Sequence, residues 1–95
     1  MVVAVVRVRI GSRQWASLKD KRRFVQSVKS RAARTFGVSA AETGLLDDKQ
    51  ACELGFALAA SGRLSAERTV QALREFLQAE SQDNVEDIAV DIEQW

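Results

Sequence analysis

A two-layer α+β domain, with a four-stranded antiparallel sheet covered on one face by two helices, is predicted by three observations. Apolar residues alternate with period two near the start, the middle and the end of the chain. Helical periodicity occupies the two intervals between them. The 95 residues, 46% of them hydrophobic, fit one domain spanning 1–95 with a single core.

The first strand covers 2–10. Val2, Ala4, Val6, Val8 and Ile10 form an apolar face, while Val3, Val5, Arg7 and Arg9 turn the other face from apolar to basic. Residues 11–16 read as a loop. Ser17 then offers an N-cap, with Asp20 three residues on as a weaker capping box. Leu18, Lys21, Phe24, Val25, Val28, Ala32, Thr35 and Phe36 share one side of a helix that ends at Gly37, a left-handed C-cap. Lys21 lies at the edge of that stripe and is expected to snorkel outward.

A shorter strand is expected over 38–46, then a polar turn at Asp47, Asp48 and Lys49. Over 50–60, Cys52, Leu54, Phe56 and Leu58 point inward, and Ala51, Glu53, Gly55, Ala57 and Ala59 point outward. Ser65 is the expected cap of the second helix, with Val70, Leu73, Phe76 and Leu77 as its buried stripe. In the last strand Ile88, Val90 and Ile92 face in. Asp87, Ala89, Asp91 and Glu93 face out, and Trp95 ends on the outward parity.

Strand, helix, strand, strand, helix, strand with right-handed crossovers gives the split βαβ, ferredoxin-like arrangement. Its fourth strand lies antiparallel beside the first, so Arg7 and Arg9 are expected to face Asp91 and Asp87. Such cross-strand pairs contribute about 0.2–1 kcal/mol each.

Composition narrows the chemistry. The chain has no His or Tyr and a single cysteine, Cys52. That removes imidazole catalysis, an internal disulfide and a multi-thiolate zinc site, and no cluster of other catalytic groups stands out. We expect no enzyme activity, no cofactor and no metal. Glu42, Asp47 and Asp48 lack the spacing of a calcium site, and turn polarity accounts for the aspartates. No apolar run approaches the ~20 residues of a membrane span. The opening MVVAVVRVRI reads as a strand rather than a signal peptide, so the chain is expected in the cytoplasm.

The charge is uneven. Residues 1–34 carry ten bases against one acid, and 35–95 carry four bases against twelve acids, within a net charge of +1. Seven of the bases fall between Ser17 and Gly37.

The stretch SLKDKR at Ser17 to Arg22 resembles the signature of the YlxP-like proteins, a small bacterial family of unknown function. Ala41, Glu42 and Gly44 are similar to the end of that family's second strand, and Leu54, Gly55 and Ala57 to its third strand. Lys49 stands where the family often has an aromatic. The resemblance implies a ferredoxin-like fold, the bacterial cytoplasm and a role near the ribosome. It implies no catalytic residues.

Two candidate sites emerge. Arg13, Lys19, Arg22, Arg23, Lys29, Arg31 and Arg34 would track a phosphate backbone, such as ribosomal RNA or a ribosomal particle. The competing reading is a solvated face of good helix formers. The scarcity of acids among these bases favours the first. Trp15 is a candidate to stack on an unpaired base, though packing over the helix start is the stronger expectation. The second site is the outward sheet face, where Val3, Val5, Ala51, Gly55, Ala57, Ala59 and Ala89 form a flat patch of small apolar groups. Burial against a second copy would make a homodimer.

Leu54 to Ala59 faintly echoes an RNA-recognition motif. It lacks the leading base and second aromatic, and the inward assignment buries Phe56, so base stacking on the sheet is set aside. The rival to RNA binding is a protein-interaction or dimeric regulatory module, and a small-molecule sensor is a third reading.

Overall fold

The computed structural model describes residues 1–95 and consists of β1 (Val2–Gly11), α1 (Leu18–Phe36), β2 (Ser39–Gly44), β3 (Ala51–Ala60), α2 (Arg63–Glu80) and β4 (Val85–Gln94). The four strands form one antiparallel sheet in the order β2-β3-β1-β4. This is the ferredoxin-like topology that the alternation of periods predicts.

The sequence pattern accounts for the elements. β1 alternates buried and accessible residues, with Val2, Ala4, Val6, Val8 and Ile10 all in the core. β3 does the same with Cys52, Leu54, Phe56 and Leu58. These residues meet Val25, Val28 and Ala32 of α1 and Ala66, Val70, Leu73 and Leu77 of α2 in one continuous core. Phe56 is buried beneath the helices, so it cannot serve as a stacking platform on the outer face.

α1 begins at Ser17, whose hydroxyl accepts from the Asp20 N–H at 3.2 Å. The Asp20 carboxylate reaches back to accept from the Ala16 N–H at 3.2 Å. Two donors at the helix start are thereby satisfied, and the negative charge suits the positive end of the helix. Gly37 closes α1 at φ 66°, a conformation that favours glycine, and its N–H donates to the Ala33 carbonyl.

Several expectations are corrected. β2 is shorter than 38–46: Val38 lies in the core ahead of the strand, and residues after Gly44 turn away at Leu45, which has φ 57°. α2 starts at Arg63 with Gly62 as its N-cap, so Ser65 sits inside the first turn and its carbonyl accepts from Thr69. Thr35 is exposed rather than part of the buried stripe. Val90 is 37% exposed because β4 is an edge strand that the helices cover only in part. Arg7 lies opposite Ala89, not Asp91, while Arg9 lies opposite Asp87 as expected. Neither arginine forms an ion pair.

Candidate nucleic-acid interface

The helix that carries the basic residues is rooted by a lysine. Lys21 occupies the apolar stripe of α1 and, at 1% exposure, is the largest fully buried side chain of the protein. Its Nζ donates to the carbonyls of Leu45 at 2.5 Å and Asp48 at 2.7 Å, and lies 3.7 Å from Glu42 Oε2. All three partners belong to β2 or the β2–β3 loop. A buried ammonium is costly unless it is hydrogen-bonded and paired, and here two carbonyls accept its hydrogen bonds while the Glu42 carboxylate supplies the opposite charge. Lys21 therefore does not snorkel. It ties the start of α1 to a loop that contains a left-handed residue.

With Lys21 turned inward, the opposite face of α1 is fixed toward solvent. Lys19, Arg22, Arg23 and Arg34 are exposed along it, and Lys29 is half-buried on its flank. None of the five has a carboxylate within ion-pair distance. From Lys19 to Arg34 the crest runs on the order of 22 Å, at ~1.5 Å per residue. Arg13, in the loop before the helix, is also exposed and unpaired.

Two residues of the expected set are committed elsewhere. Arg31 leans toward α2: its Nε donates to Ser27 Oγ at 3.1 Å, its guanidinium pairs with Glu80, and it lies over the Phe76 ring at 5.6 Å. Since α1 and α2 pack side by side, Arg31 closes their seam and is not free to meet a phosphate. Trp15 folds onto Phe24, with ring centroids 5.2 Å apart, and is half-buried. Its packing over the helix start leaves base stacking without a platform.

The outward face of the sheet carries no helix. Val5, Gly55, Ala57 and Ala89 meet at its centre, beside a shallow hollow of about 560 Å³ that Arg7, Ala41 and Thr43 also line. Val3 and Ala59 lie toward one end, and Ala51 lies at the other, opposite Gly11. Val5 is 46% exposed. Glu53 accepts from Thr43 Oγ1 at 2.8 Å. At the β4 edge, a hydrogen bond with Asp91 and its like charge push the exposed Glu93 carboxyl above its ordinary range.

The remaining reactive groups offer little chemistry. Burial pushes the Cys52 thiol up to about 11, which suppresses its nucleophilic thiolate. No three His, Cys, Asp or Glu side chains gather as a metal site. Neither helix is long and apolar enough to cross a membrane.

A family model described as a protein of unknown function, DUF503, matches residues 3–90, almost the whole chain. The chain belongs to the DUF503 family. No curated protein matches this DUF503 chain. Its fold is similar to that of a de novo designed ferredoxin-fold protein, with a TM-score of 0.58, 14% identity and coverage of 98% of this chain and 83% of the design. A second design, Foldit4, matches with a TM-score of 0.56 at 14% identity, over 99% of this chain and 97% of that one. A candidate antibiotic biosynthesis monooxygenase from Deinococcus radiodurans matches with a TM-score of 0.55 at 11% identity, over 100% and 92% of the two chains. At such identities these likenesses speak to fold alone.

Proposed function

We propose that this DUF503 protein is a non-enzymatic RNA-binding protein of the bacterial cytoplasm, associated with the ribosome through the crest of α1. One observation supports the reading most: five cations on that crest, with Arg13 beside it, have no carboxylate partner although the chain is nearly neutral. Isolated surface cations on a helix are unremarkable one by one. A row of them without interleaved acids creates a field that attracts polyanions. The crest is linear, lacks an exposed aromatic and offers no acceptor-rich pocket. Those features suit backbone phosphates of structured RNA better than individual bases. The absence of histidine and the suppressed Cys52 thiol support a binding role over catalysis.

Fluorescence anisotropy with a structured ribosomal RNA fragment across a salt series tests this. If all six cations displace counterions, the logarithm of the association constant falls against the logarithm of salt with a slope of about −5. A flat response would remove the electrostatic mechanism. An acidic protein that displaces RNA from the crest at stoichiometric levels would favour a protein-interaction module instead.

A further inference from the structure

We propose that the open face of the sheet is covered by a second copy of the same chain, related by a two-fold axis that runs parallel to the strands between β1 and β3. The reason lies in the order of side chains across the face. At the level of Val5 the outward residues read Ser39, Ala57, Val5, Asp91 from β2 to β4. At the next level they read Ala41, Gly55, Arg7, Ala89. Beyond that, Glu53 stands beside Arg9.

Turning such a row over about the proposed axis sets β1 of one copy on β3 of the other, and β4 on β2. Val5 then meets Ala57, and the Arg7 stem lies over Gly55, where the Thr43 methyl of β2 fills the place of the missing side chain. Arg9 meets Glu53, Ala89 meets Ala41, and the Asp91 carboxylate faces the Ser39 hydroxyl. In each row a bulky group falls on a small one, or a charge on a complementary polar group. The alternative end-for-end axis sets Val5 against Arg7 and loses this match. Aligned sheets cross at about −30°, so the pairs hold best in the central rows.

The area is sufficient. Strands of 10, 6, 10 and 10 residues, at ~3.3 Å rise and ~4.8 Å spacing, present about 570 Å² of flat footprint per copy. Two copies pass the ~1,000 Å² that separates specific interfaces from incidental contacts. The residues concerned are accessible in the single chain: Val5, Arg7, Ala57 and Ala89 are all exposed. Isologous pairing of this kind closes on itself, so the same face is not left open to a third copy.

Sedimentation equilibrium tests the proposal, with the full chain at concentrations from about 1 to 100 µM. The expected result is a mass twice the 10.5 kDa of the chain at the upper end. Ala57→Arg, a change at an exposed position that a lone chain tolerates, is expected to leave a monomer with an unchanged circular dichroism spectrum. Arg9→Ala is expected to raise the dimer dissociation constant about tenfold. A wild-type chain that stays at 10.5 kDa throughout overturns the proposal, as does an Ala57→Arg chain that keeps the doubled mass. Both α1 crests lie on the outer surfaces of such a dimer, so Ala57→Arg retains whatever RNA affinity a single crest has. The two readings therefore fail separately.

Discussion

The two helices share one layer of the molecule and are nearly equal in length, 19 and 18 residues, yet their solvent faces differ in kind. α2 carries three bases and three acids in balance: Arg63 pairs with Glu67, Gln71 donates to Glu75, Glu80 pairs with Arg31 of α1, and Arg68 and Arg74 stand unpaired. α1 carries seven bases and one acid. Its single acid caps the helix start, and two of its bases are consumed by Glu42 and by Glu80 of α2. The rest stand unpaired. Both helices bury comparable apolar stripes, so packing does not explain the difference. Structure alone asks no more of α1 than α2 provides, and the surplus charge is what a partner would use.

The buried faces should respond alike, and the exposed faces should not. Leu73→Ala in α2 removes a fully buried side chain and is expected to cost about 2–5 kcal/mol in denaturant unfolding, without altering RNA affinity per folded molecule. Next in size, Lys19→Glu, Arg22→Glu and Arg23→Glu together are expected to weaken RNA binding about a hundredfold, ~2.7 kcal/mol. The matched triple on α2, Arg63→Glu, Arg68→Glu and Arg74→Glu, changes net charge equally and should shift affinity less than about threefold. Equal losses from the two triples would mean that total charge, not the crest, governs binding. Smallest of the three, Lys21→Met leaves the Leu45 and Asp48 carbonyls without their donor and should cost about 2 kcal/mol of stability. RNA affinity should hold, because Lys21 does not reach the surface.

Local patterns were readable in the chain where they act locally. The alternation of β1 and β3, the Ser17 and Gly37 caps and the inward turn of Phe56 each depend on residues a few positions apart. The start of α2 was missed because Gly62 caps it through backbone geometry alone, with no side-chain hydrogen bond to mark it. The candidate crest was legible as composition, but its membership was not. Arg31 leaves the set because Glu80 and Phe76, far along the chain, reach it only after α1 and α2 pack. Lys21 stood in the apolar stripe, which was the available signal of burial. Its acceptors, supplied by the β2–β3 loop, have no local signature.

The contrast between Lys19 and Lys21 has a practical use. An amine-acylating reagent applied to the native protein meets an open ammonium at Lys19 and none at Lys21, two residues away, whose Nζ is enclosed by carbonyl oxygens. One proteolytic fragment spanning both would hold a probe and its internal standard. Protection of the first marks occupancy of the crest, and labelling of the second marks loss of the fold.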